Sequence, residues 1–178
     1  MGSVPYYSPI FTHVAVPVAT SLGIGKIASR RLLFFAAFCA ILPDFDTIGF
    51  KLGISYASQW GHRGFTHSIA FALLVALLAA CISRQLKSRA WVVFLLVFIA
   101  VVSHPLLDMC TNGGLGVALY WPYSNERVFF EYRPITVSPI GISRFFTERG
   151  FAVIKSEFMW VWLPSIILLF TLRGMRRK

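Results

Sequence analysis

The block Gly61-His62-Arg63-Gly64-Phe65-Thr66-His67-Ser68 places two of the chain's four histidines at the mouth of a long apolar run, Ile69 to Ile82. A polar side chain there must be solvated or paired, so the placement points to a site rather than to chance. The other two histidines recur at the edges of apolar segments. His104 and Asp108 are four residues apart, so a helix puts both on one face, within reach of one ion. Asp44 and Asp46 follow Pro43, where a turn can aim both inward, and His13 opens the first apolar run. Imidazole with carboxylate suits Zn first, with Mn or Fe as alternatives, and an aspartate can bridge two ions. The candidate metal ligands are therefore His13, Asp44, Asp46, His62, His67, His104 and Asp108. One or two divalent ions held this way activate water and grip the oxygens of a phosphoester. Asp44 or Asp46 would orient the water. Arg63, and at greater distance Arg127 and Arg133, would hold the anionic group of the substrate.

These residues must be positioned by apolar segments. The 178 residues are 57% hydrophobic and 13% charged, with a mean hydropathy of +0.69, far from the soluble average. Five runs are read: Pro9 to Ile24, Leu32 to Leu42, Thr66 to Ser83, Ala90 to Leu107, and Phe158 to Leu172. The third and fourth have 18 residues each, about 27 Å as helices, close to a bilayer core. The first two are short, and the last three are expected to be the firmer spans. The fold expected is all-α and polytopic, one domain over 1–178, with four or five transmembrane helices. Residues 109–157 would form an outward-facing loop or cap, with turns at Pro139, Gly141 and Gly150 and a short amphipathic helix around Phe145.

The net charge of +10 does not read as a nucleic-acid footprint, because the basic residues cluster in short loops between apolar runs. If all five runs cross, segments 26–31, 84–89 and 173–178 share one side and hold ten of the 17 Lys and Arg. All seven acidic residues fall on the other. The positive-inside rule sends the basic side to the cytoplasm, which in a bacterium leaves the other facing the periplasm. All seven candidate ligands then lie at that one face, although nothing in the charge argument required it. No cysteine spacing suggests a zinc ribbon or disulfide framework, and with no Lys or Arg in the first 25 residues no cleavable signal peptide is expected.

Each feature has a plainer reading. A lone interfacial histidine is usually an anchor, and Asp44 with Asp46 can simply end a helix. Thr66 is a natural N-cap for the helix carrying His67. His104-Pro105 can mark a kink. Arg127 and Arg133 can be a solvated loop, and Tyr120, Trp121 and Tyr123 an interfacial aromatic belt. The coincidence of seven ligand-type residues on one face is what favours a metal site.

Leu42-Pro43-Asp44-Phe45-Asp46, the 61–68 block, and Ser103-His104-Pro105-Leu106-Leu107-Asp108 followed by Tyr120-Trp121-Pro122 resemble the YdjM-like family of bacterial inner-membrane proteins. The likeness runs from His13 to about Pro134, and His62-Arg63-Gly64-Phe65-Thr66-His67 is its most specific part. That family is described as metal-dependent hydrolases and is distantly similar to zinc-dependent phospholipase C and P1-type nucleases. The resemblance implies His13, Asp44, His62, His67, His104 and Asp108 as ligands, with Asp46 as a ligand or its support. Those soluble enzymes use more ligands than four histidines supply, which implies one or two ions here rather than three. The expected function is hydrolysis of a phosphoester in a lipid or lipid-linked substrate. A membrane peptidase would carry His-Glu-x-x-His, which is absent. A metal transporter would want ligands through the membrane depth, and a non-catalytic membrane interaction protein would use the same cluster structurally. The oligomeric state is not legible.

Overall fold

A computed structural model describes residues 12–137 and 147–176. In chain order the α-helices are α1 (Ala15–Ile24), α2 (Arg30–Ile41), α3 (Ile69–Cys81), α4 (Ala90–Met109), α5 (Glu148–Glu157) and α6 (Leu163–Met175). Among the described residues there is no strand, only isolated bridges between Thr111 and Ile135 and between Val117 and Val128. Among the described residues three stretches are long and apolar enough to cross a membrane: Arg30–Leu52, Ala90–Met109 and Gly150–Met175. Ala15–Ile27 and Ile69–Cys81 are shorter apolar helices.

The second run is thus a longer span, and the third a shorter one, than the sequence leads one to expect. The second run is long because α2 continues as a 3-10 helix, Leu42–Leu52. Pro43 has no amide hydrogen and its ring crowds the preceding turn, so the α pattern changes there without the chain leaving its course. The third run is shorter than read. Its helix starts only at Ile69, because Ser68, not Thr66, is the N-cap and accepts from the Phe71 amide. Thr66 sits in a 3-10 turn, Phe65–His67, with its hydroxyl committed elsewhere. The 109–157 segment is not all loop. α5 occupies its end and continues through a π-helical turn, Phe158–Trp162, into α6. The turns expected at Pro139 and Gly141 and the helix expected around Phe145 lie outside the described residues.

α4 is the central post, packed against α1, α2 and α3, while α6 packs on α1. The buried faces are made of small residues: Ala36 and Ala40 on α2, Ala72, Ala76 and Ala79 on α3, and Ala100 on α4, between Val93, Val97 and Leu96. The large residues of α3 point the other way, with Leu74, Leu77 and Leu78 at 54%, 57% and 61% exposure. A water-soluble helix buries its leucines. Small residues inward and leucines outward suit helices that gain from close backbone approach while lipid solvates the rest. At one end of the bundle Ser29 caps α2, accepting from the Leu32 amide, and its hydroxyl donates to the Leu86 carbonyl. The Ser29 amide donates to Ser88 Oγ at 3.1 Å, fastening the α3–α4 turn beneath α2. The helix ends carrying the histidines and aspartates gather at the opposite end.

Candidate metal centre

Five separate pieces of chain supply this end of the bundle. His13 precedes α1, Asp44 and Asp46 sit in the 3-10 extension of α2, and His62 and Arg63 lie in the loop before α3. His67 closes the 3-10 turn, and His104 and Asp108 occupy successive turns of α4. All seven candidate ligands are brought together, with side chains no more than 6% exposed. Gly61 and Gly64 make the approach possible, since a Cβ on either would collide with loop backbone: the carbonyls of Ser55 and Tyr56 for Gly61, those of Gln59 and Gly61 for Gly64. Arg63, between them, holds a left-handed φ of 62°, a conformation a side-chain-bearing residue keeps only when its surroundings fix it.

Those surroundings are specific. Arg63 is 1% exposed, and its guanidinium donates to Asp108 Oδ1 at 3.1 Å, to the Gly113 carbonyl at 2.9 Å and to Thr111 Oγ1 at 3.3 Å. It is built into the floor of the cluster. Arg127 reaches the carbonyls of His62 (2.9 Å), Tyr56 (2.9 Å) and Ser58 (3.0 Å), so it pins the histidine loop. Burial lowers its guanidinium pKa from the ordinary value, opposed by Tyr56 and Asp46. Arg133 is exposed and lies over the Phe129 ring at 4.7 Å, away from these contacts. Of the three arginines read as substrate-binding, then, two are spent on internal hydrogen bonds and the third is outside the cluster.

Hydrogen bonds decide which nitrogen each imidazole presents. His62 Nδ1 lies 2.7 Å from Asp46 Oδ1. A carboxylate only accepts, so Nδ1 carries the hydrogen and Nε2 the lone pair. His67 Nδ1 faces Asp46 Oδ2 at 3.2 Å and Thr66 Oγ1 at 3.0 Å, and Thr66 donates its own hydrogen to Asp46 at 2.6 Å. His104 Nδ1 donates to the Ala40 carbonyl at 2.7 Å. Three histidines are thus locked with Nε2 turned inward. A carboxylate or carbonyl behind the ring is the usual support of a metal-binding histidine, fixing its orientation and raising its basicity. Asp46 accepts from both imidazoles, from Thr66 and, at 3.2 Å, from the Arg63 amide. That makes it the holder of the histidines.

The inward atoms face one another at close range. His104 Nε2 is 3.3 Å from Asp44 Oδ1, and His67 Nε2 is 3.9 Å from it. His67 and His104 Nε2 stand 3.4 and 3.7 Å from Asp108 Oδ2, and His13 Nε2 3.9 Å from Asp108 Oδ1. Both ring nitrogens of His13, both oxygens of Asp44, and Nε2 of His67 and of His104 are buried without a hydrogen-bond partner. Two ligands each about 2.1 Å from a tetrahedral ion sit about 3.4 Å apart, the spacing seen here. Three sets of ligand atoms lie within 4.8 Å of one another: His13, Asp44 and His104; Asp44, His62 and His67; His67, His104 and Asp108. Asp44 joins two of them, as a bridging carboxylate would. Charge gives the same answer. With the imidazoles neutral, as metal ligands are, three buried carboxylates against the Arg63 guanidinium leave two negative charges, which buried groups do not tolerate unbalanced. One divalent cation neutralises them. The residues present fit such an ion.

Two contributors escape a reading of sequence alone. Thr111 lies three residues beyond Asp108, and its hydroxyl donates to the Asp108 carbonyl at 2.7 Å while meeting Arg63. Glu157 is 7% exposed, accepts from the Thr12 hydroxyl at 2.8 Å, and shares with His13 and Thr111 a cavity of about 10 Å³. Its signal was available: an acid directly ahead of the final apolar run.

Residues 9–178 match the family described as YdjM inner membrane protein. The chain is 45% identical over 173 residues to inner membrane protein YbcI of Escherichia coli (strain K12), covering 94% of this chain and 98% of that one. No solved structure matches it at a significant level. A likeness that spans nearly the whole of both chains includes every residue of the cluster, so this chain belongs to the YdjM inner membrane protein family.

Proposed function

We propose that the protein is a membrane-bound, metal-dependent hydrolase acting on a phosphoester in a lipid or lipid-linked substrate, with its cluster facing the periplasm. The observation that carries the reading is the inward convergence of Nε2 atoms whose Nδ1 partners are already fixed. Preorganised imidazoles and carboxylates are what a catalytic ion requires. His13, Asp44, His62, His67, His104 and Asp108 would hold one or two divalent ions, Zn foremost. Such an ion supplies an activated water and a counter-charge for the phosphoryl oxygens. Asp44, which belongs to two of the ligand sets, would orient that water. Arg63 stabilises Asp108 from behind, and Asp46 keeps His62 and His67 in register. One ion brings the cluster to neutrality, whereas two leave it with two positive charges, matching a phosphomonoester dianion. The basic loops at the far end support the periplasmic orientation through the positive-inside rule.

The test is metal content of the purified chain by elemental mass spectrometry, with hydrolysis of phospholipids and lipid-linked phosphates, beside His104→Ala/Asp108→Ala. One or two ions per chain and turnover, both absent from a variant that still folds, are expected. Undiminished turnover by the double variant would sink the mechanism. A second reading, a structural metal cluster, has its own support: the ligands are buried, and among the described residues the cavity lined by His13 is about 10 Å³, below the size of a headgroup. Stoichiometric metal with no turnover on any phosphoester would select it.

A further inference from the structure

At the opposite end of the bundle a groove of about 540 Å³ opens between α1, α2 and α6. Lys26, Arg30, Arg173 and Arg176 line it, and among the described residues no acidic one does. Lys26 and Arg30 flank the turn between α1 and α2, whereas Arg173 and Arg176 come from the end of α6, far along the chain, so the meeting of the two pairs is a product of the fold. Topology alone requires basic residues on this side but does not require that they share one cleft. On its wall, Ser21 is 2% exposed, and its hydroxyl has no hydrogen-bond partner. The first turn of α2, through Ser29, Arg30 and Leu33, faces the same groove and brings the positive end of a 12-residue helix to it. Arg176 is seated rather than free-swinging: it donates to the Gly23 carbonyl at 3.3 Å, and its guanidinium occupies the space that a Cβ on Gly25 would need. Leu22 and Leu33 supply apolar wall beside the charges.

We propose that this groove binds the phosphodiester head of an anionic membrane phospholipid, with its acyl chains along Leu22 and Leu33. The four cations attract the phosphate, the Ser21 hydroxyl donates to one of its oxygens, and the apolar wall selects a lipid over a soluble phosphate. Basic pockets between helices on the cytoplasmic side hold anionic head groups in this manner. The site is separate from the histidine cluster and holds whether or not that cluster is catalytic.

The experiment uses the full chain in non-ionic detergent, titrated with phosphatidylglycerol or phosphatidylcholine and read by native mass spectrometry. Phosphatidylglycerol is expected to bind preferentially. Arg173→Gln/Arg176→Gln should weaken it about 25-fold, at about fivefold per cation. Ser21→Ala, a mild change that keeps the fold, should weaken it about fivefold, and phosphatidylcholine should be indifferent to both. Glycerol 3-phosphate should not compete. Equal binding of the two lipids, or phosphatidylglycerol binding unchanged in Ser21→Ala and in whatever double variant folds, overturns the proposal. Displacement of lipid by glycerol 3-phosphate at matching concentration would reassign the groove to a small phosphate and overturn the lipid assignment.

Discussion

The two ends of this bundle handle charge in opposite ways. At one end, carboxylates, imidazoles and a guanidinium are almost wholly buried, and most are oriented by another group: Asp46 holds His62 and His67, Ala40 holds His104, and Arg63 holds Asp108. At the other, Lys26, Arg30, Arg173 and Arg176 border an open groove with no carboxylate among them. The buried end must balance its charges internally or with an ion, because desolvation makes any residue of charge expensive. The exposed end can leave its charges unpaired, because water and lipid head groups screen them. Specific chemistry is therefore expected where desolvation forces order, and attraction to the membrane where it does not.

That contrast can be broken by mutation. Replacing Arg63 with Met takes the guanidinium from a buried Asp108, and about 3–5 kcal/mol of stability should be lost. Thermal unfolding in detergent reads it, and a loss no larger than that of an exposed-loop mutant would mean the end is not desolvated. Next in size, Asp46→Asn should lower metal affinity about 10–100-fold while the helices persist, because the histidines lose their holder but not their place. Competition with a chelator measures it; unaltered affinity would assign the histidines no metal. At the basic end Ser29→Ala removes the cap of α2 and should cost only about 1 kcal/mol, with metal content unaffected. Smallest of all, Leu77→Ala on the lipid-facing side of α3 should leave stability within about 0.5 kcal/mol, since that side chain is largely exposed on the outside of the bundle. A large loss there would mean that this face is covered by protein.

Much of this was legible in the residues. Asp108 follows His104 by four, and a helix of any length puts them together. Charge asymmetry predicted that the seven ligand types share one end, and they do. Their partition was not legible. Asp44 and Asp46 are both aspartates two apart after Pro43, yet one faces the histidines' Nε2 atoms and the other their Nδ1 atoms. Arg63 looked like a substrate-binding arginine by type, but its depth made it a partner for Asp108. Thr66 looked like a cap by position, but an aspartate twenty residues earlier took its hydroxyl.

Composition, periodicity and charge placement by themselves determined a helical membrane protein with its candidate ligand residues at one end and most of its basic residues at the other. Those are properties of segments, and each segment obeys solvation rules that do not depend on its neighbours. Only the tertiary structure decided which nitrogen His62, His67 and His104 offer, which aspartate supports and which is presented, and that two basic pairs from opposite parts of the chain share one groove with an unpartnered serine. Such outcomes depend on distances between segments far apart in the chain, and hydrogen bonds that fail beyond a few tenths of an ångström cannot be read from spacing along it.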